Sequence, residues 1–253
     1  MDIILYNIIA AILCLILGYL FGSFPTAIVI GKVFYHQDPR DFGSKNAGGT
    51  NAGRLWGKKV GFIVIVIDMI KTIIPIWICW AILTFVPFGD KPLMATTLNR
   101  FAGLDGDYVI RWSVYWLASL GTVIGHCYPI FANFRGGKGV SSTMGVIATS
   151  SWLIGFIPGL IIYLLILKIK KYVSLASIVT PFIMGTIYLT WSILCLTGVV
   201  RGFETLPCYG PTIAVDWFGS LVIFILAFFV LFKHSSNIER LKNGTERKIK
   251  WMK

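Results

Sequence analysis

Long apolar runs alternate with short glycine-rich basic stretches along this chain. Runs at about 3–31, 60–86, 112–133, 172–197 and 217–232 reach or approach the ~20 apolar residues that cross a ~30 Å hydrocarbon layer. A shorter apolar pair covers about 140–152 and 153–168. Pro158 and Gly159 leave it open whether the pair crosses twice, forms one broken helix or folds as a re-entrant hairpin. Lipid tolerates a hairpin only where protein or water satisfies its backbone. The pattern predicts an all-α integral membrane protein with seven transmembrane helices, or five if the short pair does not cross. Either count is odd and puts the termini on opposite sides. The first run lacks a basic leader and follows Asp2, so it reads as a retained helix rather than a cleaved signal.

Composition excludes the soluble alternative. The 253 residues are 56% hydrophobic and only 13% charged, about half the charged fraction of a soluble domain. That leaves too little polar sequence to cover a set of buried helices. Most Lys and Arg fall in segments 32–59, 134–139, 168–171 and 233–253. The intervening loops near 87–111 and 198–216 mix a few basic residues with Asp and Glu. The bias predicts a cytoplasmic C-terminus and an outer N-terminus. The net charge of +12 is therefore mainly a topology signal, and it also draws anionic lipid and substrates to the inner face. Nucleic-acid binding is disfavoured because the charge is spread over membrane loops. The five cysteines include no C-x-x-C pair, so neither a zinc site nor a disulfide framework is expected. Residues 1–253 read as one membrane-embedded domain without internal repeats, ending in a basic tail at 234–253.

Two of the basic loops carry candidate chemistry. Arg135-Gly-Gly-Lys-Gly139 precedes a short apolar helix, where curled backbone and a helix start can present N–H groups to an anion. Gly136, Gly137 and Gly139 supply the curl and Lys138 the charge. The spacing of a Walker loop is absent. The second loop, Asp41 to Arg54, reads DFGSKNAGGTNAGR. Ser44, Asn46, Thr50 and Asn51 offer hydrogen bonds there, and Arg54 can fork onto a phosphate. Turn-forming composition explains either loop alone, but both face the same compartment. Asp68 and Lys71 lie three apart inside a span, where unpaired charge is costly, so Asp68 is expected to be a structural partner of Lys71 or a loop cation. The tail carries His234, Asn237 and Arg240 on one helical face, which also suits a basic helix lying on lipid. The His36-to-Asp41 spacing matches an acyltransferase H-x4-D pair by chance, since Pro39 interrupts it.

In order, the motifs Gly22-Ser23-Phe24-Pro25, Gly43 to Arg54, Asp68 with Lys71, Gly125-His126-Cys127-Tyr128-Pro129, Phe134 to Val140, and His234 to Glu246 resemble the bacterial acyl-phosphate:glycerol-3-phosphate acyltransferases of the PlsY type. The likeness covers nearly the whole chain. It departs at Lys45, where the family has glycine, at Gly49 in place of alanine, and at Thr72.

The resemblance implies transfer of a fatty acyl group from acyl phosphate to the 1-hydroxyl of glycerol 3-phosphate, at the cytoplasmic face of the bacterial plasma membrane. Products would be lysophosphatidic acid and phosphate, the first step of phospholipid synthesis. It implies no cofactor, no metal and no obligate protein partner beyond membrane lipid. Lys138, Ser44, His234 and Asn237 are the implied catalytic set. Arg54, Asn46, Thr50, Asn51, Gly136, Gly137 and Gly139 would hold phosphate, supported by Asp68, Lys71, His126, Arg240 and Glu246. A transporter of small phosphorylated metabolites is the alternative, and it would need polar residues continuing across the bilayer.

Overall fold

The computed structural model describes residues 3–88, 91–92, 97–99, 109–111, 113–150, 152–197, 199 and 217–249. Ten helices, α1 to α10, carry nearly all of it. The first helix, α1 (Ile3–Gly22), holds no charged residue, and α2 (Thr26–Tyr35) continues the same stretch. The expected single run at 3–31 is thus broken at Ser23–Pro25. Pro25 cannot donate a backbone hydrogen bond, which frees carbonyls in the preceding turn. A left-handed His36 ends α2.

A short α3 (Gly49–Trp56) closes the first glycine-rich loop, and α4 (Lys58–Phe85) follows with Pro75 inside it. The segment expected as one helix at 112–133 is shorter than anticipated. A 3-10 turn at Val114–Trp116 leads into α5 (Leu117–Cys127), and Pro129 precedes another turn at Ile130–Ala132. The 11 residues of α5 rise only ~16 Å.

The short apolar pair is a helical hairpin. In it, α6 (Val140–Ser150) meets a π turn at Trp152–Phe156 and α7 (Ile157–Lys170). Gly155 lies against Ile147, and Gly159 faces Ile147 and Met144 one turn further back, so the two arms run antiparallel. Then come α8 (Val173–Leu196), α9 (Trp217–Lys233) and α10 (Ser235–Lys242).

Among the described residues, Leu5–Tyr35, Lys58–Phe85 and Val173–Leu194 are long and apolar enough to cross a membrane. The pair Trp217–Lys233 and Ser235–Lys242 becomes a fourth span if its 63° bend is included. The helical membrane fold has one addition that periodicity missed. Antiparallel ladders join β1 (Pro87–Phe88) to β2 (Lys91–Pro92) and β3 (Thr97–Asn99) to β4 (Val109–Arg111). The rest of the 87–111 loop and nearly all of 198–216 lie outside the described residues.

The interior keeps an apolar core that includes Ile76, Ile147, Met184 and Leu226, but the outer surface is apolar as well. Large apolar side chains such as Leu13, Phe85, Ile169 and Phe228 face outward, a surface suited to lipid rather than water. Small residues hold the contact between α1 and α5. A Cβ built at Gly18 or Gly22 would land on the carbonyl oxygen of Ala118 or Thr122. Gly121 and Gly125 stand in the same relation to Leu15 and Tyr19. The α1 and α5 backbones therefore touch, in the small-residue packing that close membrane helices use. Trp116, fully buried, fills the core nearby against Gly219 of α9.

Candidate active site

At the break after α1 the Phe24 carbonyl accepts from the Thr26 amide at 3.1 Å and from Lys71 Nζ at 2.8 Å. The same ammonium lies 2.9 Å from Asp68 Oδ1. Thr26 Oγ1 donates to that oxygen at 2.9 Å, and Ser141 Oγ donates to Oδ2 at 3.1 Å. His126 Nδ1 stands 3.6 Å away. Asp68 is 1% exposed, so one carboxylate ties together the α1–α2 break, α4, α5 and the first turn of α6. The expected pairing of Asp68 with Lys71 is present, and Ser141 is a partner that sequence reasoning did not name.

Against the other face of His126 lies the RGGKG loop. Its Gly136 and Gly137 amides donate to the carbonyls of Cys127 (3.2 Å) and His126 (3.0 Å). A Cβ on Gly137 would overlap the His126 imidazole. These two glycines are therefore spent on seating the loop, and their N–H groups do not face an anion as the sequence suggested. Gly139, at φ +82°, turns the chain into α6, and Thr143 N–H caps back onto its carbonyl at 2.8 Å.

The Asp41–Arg54 loop is folded by a single side chain. Asn51 is 1% exposed. Its Oδ1 accepts from the Ser44 amide at 3.0 Å, and its Nδ2 donates to the carbonyls of Pro39, Phe42 and Asn46 at 2.8–3.2 Å. Expected as a phosphate ligand, Asn51 is instead the clasp that shapes the loop, with its hydrogen-bonding capacity used internally. Lys45 sits at φ +54°, the left-handed region that glycine occupies without strain. The resemblance expects glycine at this position, and the left-handed backbone locates the cost of carrying lysine there.

Both loops open onto a cavity of about 1170 Å³. Ser44, Asn46, Thr50, Arg54, Lys138, His234, Asn237, Arg240 and Glu246 line its polar end, and His126 and Asn51 reach its wall. Phe62, Ile70 and Trp77 of α4 with Leu160 of α7 line its apolar side. Asp68, Lys71, Gly136, Gly137 and Gly139 stand outside that lining. A second cavity of about 290 Å³ adjoins, sharing Lys45, Asn46 and Lys138 and adding Arg40, Arg135 and Lys233.

At the polar end a relay holds the chemistry. Lys138 Nζ donates to Asn237 Oδ1. Asn237 Nδ2 donates to Glu246 Oε1, which also accepts from Ser174, both at 2.8 Å. Arg240 Nε donates to Glu246 Oε2 at 2.8 Å. Asn237 is thus oriented at both ends and positions Lys138. Burial pushes the Glu246 carboxyl up, but hydrogen bonds from Asn237, Arg240 and Ser174 outweigh it, and its pKa falls below the ordinary value. Burial, followed by the charge of Arg240, lowers the Lys138 ammonium.

His234 is depressed to about 4, first by burial, with Lys138 adding to the effect. Its ring is therefore neutral at pH 7. Nδ1 lies 2.8 Å from the Val230 carbonyl, which can only accept, so Nδ1 carries the proton and Nε2 the lone pair. Among the described residues no three His, Cys, Asp or Glu side chains gather as a metal set.

The cavity thus has a cationic mouth and an apolar flank inside a helical membrane fold, a lining that suits an amphiphile with an anionic head. The chain belongs to the glycerol-3-phosphate acyltransferase family, whose model matches residues 12–244. A glycerol-3-phosphate acyltransferase of Listeria monocytogenes serotype 4a is 35% identical over 95% of this chain and 98% of its own. One from Mycoplasmopsis synoviae is 34% identical over 99% of each. The fold is similar to crystal structures of PlsY (YgiH), an integral membrane glycerol 3-phosphate acyltransferase. Its glycerol 3-phosphate form superposes at TM-score 0.68 with 28% identity, covering 95% of this chain and 96% of that one. Its lysophosphatidic acid form superposes at 0.67 with 27% identity, covering 95% of each.

Proposed function

We propose that this protein transfers a fatty acyl group from an acyl phosphate to the 1-hydroxyl of glycerol 3-phosphate, releasing lysophosphatidic acid and inorganic phosphate. The observation that carries the reading is the single cavity joining Lys138, Arg54 and His234 to the apolar flank of α4 and α7. Such a site suits one substrate that is all polar and another that is half alkyl chain. The relatives' activity and the two liganded forms of the similar structure support it.

An acyl phosphate is a mixed anhydride and needs no further activation. The hydroxyl oxygen attacks the acyl carbon, the bond from that carbon to the phosphate oxygen breaks, and the hydroxyl proton ends on the departing phosphate. Lys138, steadied by Asn237, balances charge on the phosphate, and the neutral Nε2 of His234 accepts the hydroxyl's hydrogen bond and orients it. Arg54, Ser44, Asn46 and Thr50 hold the glycerol 3-phosphate end. Asn51, Gly136 and Gly137 act by shaping the loops.

The proposal includes the topology: one domain of seven crossings, or five if the α6–α7 pair does not cross, in the bacterial plasma membrane, with the N-terminus outside and the site on the cytoplasmic face. Support comes from the placement of the basic loops on the site's side. Purified protein given palmitoyl phosphate and labelled glycerol 3-phosphate, without coenzyme A or acyl carrier protein, should form labelled lysophosphatidic acid and one equivalent of phosphate. Absence of that product from folded protein would refute the reading.

A further inference from the structure

We propose that Arg247, in the C-terminal tail, is a second guanidinium that grips the phosphate of glycerol 3-phosphate together with Arg54. The inference rests on the acyl-transfer reading above and extends it to a residue outside every motif considered so far.

Arg247 lines the same large cavity as Arg54 and Lys138. The backbone on either side of it is fastened. Glu246, immediately before it, is held by Asn237, Arg240 and Ser174. Two residues after it, the Ile249 amide donates to the Lys171 carbonyl at 2.8 Å, and Lys248 lies over the Tyr172 ring. The tail is thus strapped across the α7–α8 junction, and Arg247 is carried to the cavity mouth by that strap.

Charge completes the case. The one carboxylate beside Arg247 is already committed, since Glu246 is paired with Arg240 at 2.8 Å. After burial, the positive charge of Arg247 is the next cause that lowers the Arg54 pKa, so the two guanidiniums share one region of space. Two like charges held together in the ligand-free protein repel, and a phosphate dianion offsets both through charge-assisted forks. Both arginines keep part of their surface in solvent at the polar mouth, where a water-soluble substrate arrives. The apolar flank that an acyl phosphate would use lies along α4 and α7.

Steady-state kinetics with each substrate varied in turn tests this. Arg247→Ala should raise KM for glycerol 3-phosphate at least tenfold, leave kcat within threefold and leave KM for palmitoyl phosphate unchanged. Arg247→Lys should recover part of the loss. An unchanged KM for glycerol 3-phosphate overturns the proposal, and so does a rise confined to palmitoyl phosphate. A fall in kcat with both KM values unaltered would mean a structural role and also overturns it. Calorimetric titration with glycerol 3-phosphate reads the same contact without turnover. Wild-type protein that binds but forms no lysophosphatidic acid refutes the acyl-transfer reading, while Arg247 still stands or falls on whether Arg247→Ala binds tenfold more weakly.

Discussion

Two carboxylates, Asp68 and Glu246, each collect several side-chain donors, yet they serve opposite ends of the molecule's purpose. Asp68 is sealed among helices and faced by Lys71, so its charge is matched where it stands. Thr26 and Ser141 each donate one further hydrogen bond to it. Glu246 sits at the cavity rim and neutralises Arg240, while Lys138 reaches it only through a neutral asparagine. Around Glu246 cations therefore outnumber carboxylates, with Arg54 and Arg247 close by. A network that balances its own charge acts as a joint. One that leaves positive charge over suits an anionic ligand.

The largest effect should come from breaking the joint. Asp68→Ala leaves the Lys71 ammonium buried without its counter-charge, a loss of about 3–5 kcal/mol. Thermal unfolding in detergent should show it. The double change Asp68→Ala with Lys71→Met should be less destabilised than Asp68→Ala alone, and equal instability would contradict the pairing.

Lys138→Ala should lower kcat by roughly 10²–10³-fold, the usual worth of one charge-stabilising donor, while unfolding stays near wild type. Activity within threefold of wild type would remove Lys138 from the chemistry.

Acid separates the two networks next. The folded pKa of Glu246 is depressed, so its contribution is present above the unfolded carboxylate value of ~4.3 and is lost as pH falls through the lower folded value. Protection of the Thr245, Glu246 and Ile249 amides, corrected for intrinsic exchange, should be high at pH 6 and should fall as the carboxylate is titrated with acid. In Glu246→Gln the corrected protection should not change with pH over the same range.

The smallest effect concerns Lys45. Left-handed backbone costs a non-glycine residue roughly 1–2 kcal/mol, and glycine's greater freedom in the unfolded chain returns part of that. Lys45→Gly should change stability by at most about 1 kcal/mol and leave turnover within threefold. A tenfold loss of turnover would make the Lys45 side chain a substrate contact.

Much of this was legible in the sequence because bilayer thickness dictates length. The runs at 60–86, 172–197 and 217–232 match α4, α8 and α9 within two residues at each end. Residue-by-residue roles were less legible. Asn51 and Asn46 carry the same amide, and nothing local distinguishes a buried clasp from a side chain that faces a cavity. Gly136 and Gly137 look like an anion loop until the carbonyls of His126 and Cys127 claim their amides. Arg247 was one basic residue among many in a tail whose charge pattern spoke only of membrane sidedness. Its tether, Glu246 to Ser174, joins residues 72 positions apart. The short α5 was hidden because apolar sequence continues past Cys127 although Pro129 ends the helix.

The seam between α1 and α5 bears on how a lipid gets in. Where two backbones touch with no side chain between them, there is no crevice for an alkyl chain to part, and rotating side chains cannot open one. On the far side of α4 the geometry differs: α4 and α7 both face the cavity but do not pack closely on each other. An alkyl chain seated in the cavity would lie along α4 and α7, and the glycine seam would be a fixed wall behind it.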